Sequence, residues 1–226
     1  MKIAVLGGSF NPVHIGHAML ADVVLHEHGF DKVLFVPTFI PPHKQMDSSV
    51  SAEQRLEMVR AFCRSSACGG NQKFFAEDCE ILRGGTSYTV DTLSYLSEKY
   101  RNELAGEKLS FVMGQEVAAQ FYKWKNPERI SELADILIAA RKPDSISVET
   151  KNHQNKPSGN YSADYEDESY LEKFPYRHSF VENPVFPVSS TEIRARIAAG
   201  KSWRYLVPEA VFQYIISNNL YGSKND

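Results

Sequence analysis

The sequence predicts an α/β fold built on a parallel sheet. Two short runs, Ile3–Leu6 and Lys32–Val36, have the length and composition of buried parallel strands, and a segment with helical periodicity opens between them at Ile15. A strand, a helix and a second strand in this order imply a right-handed crossover within one sheet. A further strand, Leu109–Met113, ends at Gly114, where a ligand can approach the backbone closely. We therefore expect a doubly wound, Rossmann-like sheet.

Composition and charge limit the class of protein. The chain has 226 residues, of which 42% are hydrophobic and 23% charged, which is typical of a globular protein with one α/β domain. Its formal net charge of -3 argues against electrostatic binding to nucleic acid. No apolar stretch approaches the roughly 18 residues of a membrane span, and no signal segment is seen before the first strand. We expect a cytoplasmic protein with neither a nucleic-acid nor a membrane partner.

The cysteines indicate neither a disulfide framework nor a zinc site. The chain has an odd number of cysteines, and they form no C-x-x-C motif. The three are Cys63, Cys68 and Cys79. We expect buried or unreactive thiols.

The loop after the first strand has the features of an anion-binding site. Gly7 and Gly8 let backbone amides approach a ligand without an intervening Cβ, and Pro12 stiffens the loop. The helix that follows presents free N–H groups and the positive end of its dipole, both of which favour bound phosphate. His14 and His17 lie one turn apart at the start of this helix, so both imidazoles can reach one anion.

Spacing excludes several better-known sites in this loop. The glycine pair does not continue as G-x-G-x-x-G, and no G-x-x-x-x-G-K-[ST] occurs in the chain. Zinc ligation by His14 and His17 is disfavoured, because the chain has no H-E-x-x-H and no third ligand nearby. The loop is therefore predicted to bind phosphate rather than a metal.

The other elements are predicted from caps, periodicity and turn residues. Ser51–Gln54 is a capping box, and Thr89 is the expected cap of a later helix. Further strands are expected at Phe74–Leu82, Asp135–Ala140 and Ser179–Glu182, and further helices after Asn126-Pro127, from Ser189 to Ala198 and from Pro208 to Asn218. Residues 144–178 are polar and lack periodicity, which indicates a surface insertion in an otherwise single domain spanning 1–226.

Two cations follow predicted strands. Lys44 ends a proline-rich loop that begins at Pro37 and leaves the carboxyl edge of the sheet, where open α/β proteins bind ligands. Arg141 closes the strand that begins at Asp135. On position alone, each is either a solvated surface cation or a phosphate partner.

The segment Gly8–His17 resembles the G-x-F-x-P-x-H-x-G-H signature of the nucleotidyltransferase superfamily. In that superfamily the two histidines bind the phosphates of a nucleoside triphosphate. The string His-Ile-Gly-His is also similar to a motif of class I aminoacyl-tRNA synthetases, which leaves the branch to be decided by the rest of the chain.

Later motifs resemble those of the bacterial nicotinate-mononucleotide adenylyltransferases. In chain order they are Pro41-Pro42-His43-Lys44, Thr86–Thr92, Gly114-Gln115-Glu116, the F-x-x-W that ends at Trp124, and Val188–Arg194, which is similar to I-S-S-T-x-I-R. Glu116 departs from the family pattern, which has an aspartate there. The resemblance implies a nucleotidyltransferase-type sheet with a small C-terminal helical part.

The resemblance also implies roles for particular residues. It implies that ATP is bound by Gly8, Ser9, Phe10, His14, His17, Gly114, Glu116, Ser189, Ser190 and Arg194. It implies that nicotinate mononucleotide is bound by Lys44, Thr86, Tyr88, Trp124 and Arg141, with the Trp124 indole stacking on the pyridine ring. Catalysis is expected from His14, His17, Lys44 and Arg194, with Mg²⁺ accompanying ATP.

Other functions remain open at this point. A transferase of the same superfamily could use nicotinamide mononucleotide or phosphopantetheine as acceptor. A tRNA synthetase is disfavoured because the chain lacks K-M-S-K-S. A regulatory nucleotide-binding module would keep the glycine loop but could lose the cations, which are present here. The sequence is compatible with a homo-oligomer.

Overall fold

One parallel sheet forms the centre of the protein. The computed structural model describes residues 1–42, 49–66, 72–139 and 174–223. Within these ranges six strands pair in the order β3-β2-β1-β4-β5-β6, and every pairing is parallel. The strands are β1 (Ile3–Gly8), β2 (Lys32–Pro37), β3 (Phe74–Ala76), β4 (Leu109–Gly114), β5 (Ala134–Ala139) and β6 (His178–Val181).

Helices connect the strands and cover the sheet. The α-helices are α1 (Ile15–His26), α2 (Ala52–Ser65), α3 (Cys79–Arg83), α4 (Thr89–Lys99), α5 (Arg101–Leu104), α6 (Gln115–Ala118), α7 (Pro127–Leu133), α8 (Ser190–Ala198) and α9 (Glu209–Ser217). Short 3-10 turns lie at Phe121–Lys123, Arg204–Leu206 and Leu220–Gly222. In the described part of the chain, no helix combines the length and the apolar character that crossing a membrane requires.

Both faces of the sheet are buried, as the doubly wound prediction requires. Ala4 and Leu6 of β1 belong to one apolar cluster, which also contains residues of α1, α2, α8 and α9. Ile3 and Val5 belong to a second cluster, which contains residues of α4 and α7. Because successive side chains of a strand point to opposite faces, burial on both sides requires the continuous apolar runs seen in the sequence.

The order of the strands creates a crevice at one edge of the sheet. The chain proceeds outward in one direction from β1 through β2 to β3, and then returns to place β4 on the other side of β1. Ligands of open α/β proteins bind at such a switch point, outside the carboxyl ends of the strands. The Gly7-Gly8 pair and Gly114 both lie at that edge, because β1 and β4 run parallel with Leu6 opposite Val112.

The prediction of a strand over Phe74–Leu82 is wrong beyond Ala76. Strand β3 ends at Ala76, directly before Glu77, which is 4% exposed. The Glu77 carboxylate points toward the last residue of α4 and toward Tyr100, which follows that helix. That carboxylate accepts hydrogen bonds from the Tyr100 hydroxyl and from Lys99 Nζ. The short helix α3 then takes the place of the predicted strand end. Long-range pairing of one acidic side chain therefore overrides the local β pattern.

One predicted cap differs from the structure. Thr89 is the first residue of α4, and Tyr88 occupies the N-cap position with no side-chain cap hydrogen bond. Asn126 is the N-cap residue of α7, in a left-handed conformation with φ 51° and without a side-chain cap hydrogen bond. The capping box at Ser51 and Gln54 is confirmed, with hydrogen bonds in both directions. Gly29, which follows the end of α1, has a left-handed φ of 67°.

The end of the predicted surface insertion is part of the fold. Phe174 is 6% exposed and packs against Phe121, with ring centroids 5.5 Å apart. His178 opens β6, which pairs with β5. The sequence of residues 174–178 is polar and aromatic without an obvious period, so its packing was not evident from the pattern. The rest of the insertion lies outside the described residues.

We predict that Cys63 and Cys79 are unreactive in the folded protein. Burial raises the pKa of each thiol to about 12, and for Cys79 the nearby carboxylates of Glu80 and Glu77 add to the effect. Because the thiolate is the reactive form, iodoacetamide at pH 8 should leave both residues unmodified in the native protein and modify both in urea. Peptide mass spectrometry measures the labelling. Rapid labelling of native Cys63 would contradict the prediction.

Candidate active site

A cleft of about 250 Å³ lies at the carboxyl ends of β1 and β4. It is lined by the end of β1, the first two turns of α1, the end of β4 with α6, and residues 183–188 between β6 and α8. Trp124 and Ala139, the last residue of β5, complete the lining. Among the sequence-predicted site residues, those that line it are His14, His17, Gly114, Glu116 and Trp124. The structure thus brings together residues from separate predicted motifs at the switch point of the sheet.

The two histidines form a stacked pair at the start of α1. Their ring centroids lie 3.7 Å apart with an interplanar angle of 23°. His14 is the N-cap residue, and its backbone N–H donates to Nδ1 of His17 over 3.2 Å. Because Nδ1 accepts this bond, the neutral His17 ring carries its proton on Nε2. The local capping geometry therefore leaves His17 with a hydrogen-bond donor on the opposite side of the ring.

Phe10 supports the histidine pair from the core. Its side chain is 1% exposed and meets the His17 ring edge-to-face, with centroids 5.0 Å apart. The backbone of Phe10 has φ 44°, a conformation that non-glycine residues rarely adopt. A Cβ at Gly8 would lie 3.2 Å from the Phe10 ring. The phenyl ring is thus fixed in the core, and any contact of Phe10 with ATP has to come from its main chain.

Gly16 allows close packing between the first and last predicted motifs. A Cβ at this position would lie 3.2 Å from the His14 ring and 3.4 Å from Cγ1 of Val188. Such contacts are tight enough to force one neighbour to move. The absence of a side chain at Gly16 therefore leaves room for both the His14 ring and Val188, which lies in the segment before α8.

Helix α8 is hydrogen-bonded to the loop after β1. The Ser190 hydroxyl donates to the carbonyl of Pro12 over 2.9 Å, and Nη1 of Arg194 donates to the carbonyl of Asn11 over 2.8 Å. Ser189 caps the helix by accepting from the backbone N–H of Glu192. The N-terminus of α8 therefore lies beside the histidine loop, although the two segments are far apart in sequence.

The C-terminal segment reaches the same loop. The Tyr221 hydroxyl donates to Oδ1 of Asn11 over 2.6 Å, and Asn11 is only 3% exposed. Tyr221 itself has a left-handed backbone, with φ 56°. The loop after β1 therefore accepts hydrogen bonds both at its main-chain carbonyls and at the Asn11 side chain.

The end of β4 supplies the acidic and aromatic part of the cleft. The Glu116 carboxylate folds back over Gly114, so that a Cβ there would lie 2.6 Å from Oε2. Trp124 is half-buried, and its ring packs against Phe111 and Phe121 at centroid distances of 6.0 and 5.4 Å. These aromatic contacts hold the indole at the cleft with limited freedom to move.

Thr86 and Tyr88 do not line the cleft. Thr86 is exposed and forms an isolated parallel bridge with Ile40 in the loop after β2. The ring of Tyr88 lies beneath Lys125, with Nζ 4.4 Å from the centroid. Lys125 directly follows Trp124, which lines the cleft, but Lys125 itself does not line it. Lys44 and Arg141 lie outside the described residues.

The donor atoms of the cleft do not form a metal-binding cage. Within the described ranges no cluster of three or more His, Cys, Asp or Glu side chains could hold a metal ion. Glu116 is the one acidic residue among those that line the cleft. Such a donor set fits Mg²⁺ that is held mostly by substrate phosphates and water.

Sequence reasoning missed two parts of the site. The segment 183–188 lines the cleft through residues such as Asn183 and Phe186, the latter 41% exposed. Asn11 and Tyr221 form the contact described above, but neither belongs to a motif singled out in the sequence. The prolines at 184 and 187 signal an extended segment, whereas nothing in the local sequence reveals the partner of Tyr221.

Known proteins resemble the chain over almost its whole length. The cytidylyltransferase-like family model matches residues 5–196. A probable nicotinate-nucleotide adenylyltransferase of Treponema pallidum is 40% identical over 226 residues, which cover 99% of this chain and 100% of the relative. A relative of the same name from Borreliella afzelii is 36% identical over 99% of this chain and 98% of its own length.

Solved structures share the fold. The Plasmodium falciparum nicotinic acid mononucleotide adenylyltransferase complexed with NaAD superposes with a TM-score of 0.68 at 20% identity, covering 99% of this chain and 98% of that chain. A Vibrio parahaemolyticus protein, described as a putative nicotinate-nucleotide adenylyltransferase, gives a TM-score of 0.61, also at 20% identity. These likenesses confirm the predicted nucleotidyltransferase-type sheet.

The geometry of the histidine pair predicts the tautomer of His17. Because Nδ1 accepts from the His14 backbone, the neutral ring in the ligand-free protein should be protonated on Nε2. Long-range ¹H–¹⁵N correlation spectra of the neutral ring distinguish the two tautomers. A His17 ring protonated on Nδ1 would contradict the geometry.

Proposed function

The chain belongs to the nicotinate-nucleotide adenylyltransferases of the cytidylyltransferase-like family, and on that premise we propose that it transfers the adenylyl group of ATP to nicotinate mononucleotide. The products are deamido-NAD and pyrophosphate, a step in NAD biosynthesis. A bond forms between a 5′-phosphate oxygen of the mononucleotide and the α-phosphorus of ATP. The bond from that phosphorus to the oxygen bridging to the β-phosphate breaks, and pyrophosphate leaves.

The observation that carries this proposal is the meeting of the histidine pair and the Trp124 indole in one cleft. The histidines and the adjoining N-terminus of α8 provide hydrogen-bond donors suited to a triphosphate. Trp124 provides a flat aromatic surface suited to a pyridinium ring. The reaction needs a phosphate donor and a pyridine nucleotide side by side, and the cleft presents one surface for each.

The chemistry requires alignment and charge neutralisation rather than a general base. The 5′-phosphate of the mononucleotide is already ionised at neutral pH, so it attacks without loss of a proton. The protein has to align two anions that repel each other and stabilise the charge that grows on pyrophosphate. We assign this task to His14, His17, Lys44 and Arg194. The backbone of Gly8, Ser9 and Phe10 and the hydroxyls of Ser189 and Ser190 complete the proposed ATP site.

On the acceptor side we propose stacking by Trp124 and contacts from Thr86, Tyr88, Lys44 and Arg141. The bridge between Thr86 and the loop after β2 supports this grouping, because that loop leads toward Lys44. Glu116 and Gly114 line the same cleft. We place them at the ATP end, with the longer acid replacing the aspartate of the family pattern.

Adenylyl transfer from ATP generally uses a divalent cation, and we propose Mg²⁺. Bound to the phosphates, Mg²⁺ would neutralise negative charge on the triphosphate. Glu116 is the side chain in the cleft that fits the ion, directly or through water. A cytoplasmic location and a single domain over residues 1–226 are further proposals that the sequence supports, and the sequence is compatible with a homo-oligomer.

A direct assay tests the proposed reaction. The protein is mixed with ATP and Mg²⁺ and with nicotinate mononucleotide, nicotinamide mononucleotide or phosphopantetheine in turn, and pyrophosphate release is measured. We expect the highest kcat/KM with nicotinate mononucleotide. Turnover of another acceptor without turnover of nicotinate mononucleotide would reassign the substrate, and nucleotide binding without turnover of any acceptor would favour a regulatory module.

We predict that His17 contributes to catalysis independently of its role in capping α1. His17→Ala should lower kcat on the order of a hundredfold or more, by analogy with the loss of an oxyanion donor. His17→Glu can still accept the His14 N–H in a capping box, but an ionised carboxylate has no hydrogen-bond donor, so kcat should fall at least as much while the melting temperature stays near that of the parent. Pyrophosphate release and thermal melting measure the two effects.

His26→Ala is the matched control for these variants. His26 lies on the same helix, and its side chain is 69% exposed and pairs with Asp22. Its substitution should leave kcat unchanged. Turnover of His17→Ala within about threefold of the parent would exclude the proposed role of His17.

A further inference from the structure

Arg55 is a buried cation that the proposed reaction does not use directly. It lies on α2 and is 2% exposed, and this burial lowers the pKa of its guanidinium from the usual value. Even so, an arginine stays charged in a protein. A buried charge destabilises a fold unless its hydrogen bonds are well satisfied. The location of its partners therefore indicates what the residue does.

Arg55 joins two loops at the carboxyl edge of the sheet. Its Nη1 donates to the carbonyl of Ser9 over 2.8 Å, and its Nη2 donates to the carbonyl of Phe39 over 3.2 Å. The two nitrogens belong to one planar, rigid group, so the guanidinium fixes the separation of the two carbonyls as well as their individual positions.

In the proposed reaction, one of these loops lies on the ATP side of the site and the other lies on the acceptor side. Ser9 lies in the loop between β1 and the histidine pair, on the ATP side. Phe39 lies in the loop after β2, and its backbone N–H donates to the Ser87 hydroxyl over 3.1 Å. The N–H of Ser87 in turn donates to the carbonyl of Ile40 over 2.8 Å. The loop after β2 is thereby attached to the segment that contains Thr86, on the acceptor side.

We propose that Arg55 is a positioning residue that sets the separation between the ATP loop and the acceptor loop. The proposal rests on the adenylyl transfer proposed above. In that reaction an acceptor oxygen has to lie close to, and in line with, the α-phosphorus, and a misplacement of about 1 Å can reduce the rate on the order of a hundredfold. Arg55 acts on this distance without touching either substrate.

A role in stability alone would not account for a charged residue at this place. Buried ionic groups can often be replaced by apolar residues of similar volume without loss of stability. A planar fork across two loops, by contrast, provides a geometry that apolar side chains cannot provide. The distinguishing effect is therefore on kcat, at substrate concentrations where both sites are filled.

The test replaces the fork by a single donor. Arg55→Lys keeps the charge but can hold only one carbonyl at a time. We expect kcat to fall about tenfold to a hundredfold, while the Kd of ATP and the Kd of the mononucleotide, measured separately by calorimetry, change less than about threefold. Val59→Ala is the control, because it creates a cavity in the same helix at a buried apolar residue that has no part in the site.

A double-mutant cycle tests whether the two loops are coupled through Arg55. Ser87→Ala removes the hydroxyl that holds Phe39 from the other side. If both residues position the same loop, the effects on kcat of Arg55→Lys and Ser87→Ala should not be additive, although the two side chains have no hydrogen bond to each other in the described structure. Effects that add on the logarithmic scale would overturn the proposal.

Other outcomes are equally decisive. The assay is run well below the melting temperatures of Arg55→Lys and of the parent. A kcat of Arg55→Lys within about twofold of the parent would overturn the proposal. A variant that loses substrate affinity while its kcat is unchanged would also overturn it. If Arg55→Lys does not fold, Ser87→Ala alone decides, and an unchanged kcat would overturn it. The parent is first assayed with all three acceptors, and the variants with whichever it uses, so that a wrong substrate assignment is distinguished from a wrong role for Arg55.

Discussion

The hydrogen bonds from Ser190 and Arg194 to the carbonyls of Pro12 and Asn11 hold the two ends of the chain together at one edge of the sheet. The parallel strands alone would place only the histidine loop and the end of β4 beside each other. The link to α8 adds a second helix N-terminus to the same place, and Tyr221 adds a further contact to Asn11. A site for a highly charged ligand depends on this closure, because donors from separate segments have to face one triphosphate.

In the proposed reaction the site works by position rather than by proton transfer. Both substrates are anions, and the attacking group is already charged. Such a reaction needs rigid donors, and several contacts restrict movement of the residues concerned. Phe10 packs against His17, the His14 backbone fixes the tautomer of His17, Gly16 leaves room for Val188, and the Arg55 guanidinium spans the two loops. We propose that these contacts determine where phosphate oxygens bind without taking part in the reaction.

Sequence patterns predicted the strands and loops that depend on residues close together in the chain. The runs in β1, β2 and β4 are apolar because both faces of the sheet are buried, and the glycines and histidines stand together in one short segment. The patterns failed where a distant side chain decides the outcome. Glu77 ends β3 by pairing with Tyr100 and Lys99. Arg55 bonds to Ser9, which is 46 residues away, and Tyr221 bonds to Asn11, which is 210 residues away. No periodicity or spacing encodes those contacts.

We propose that the histidine pair and the N-terminus of α8 bind the same triphosphate. A crystal structure with a non-hydrolysable ATP analogue and Mg²⁺ would show whether they do. We expect phosphate oxygens within hydrogen-bonding distance of Nε2 of His17 on one side and of the Ser189–Arg194 segment on the other. A triphosphate that contacts only one of these groups, or lies outside the cleft between β1 and β4, would contradict it.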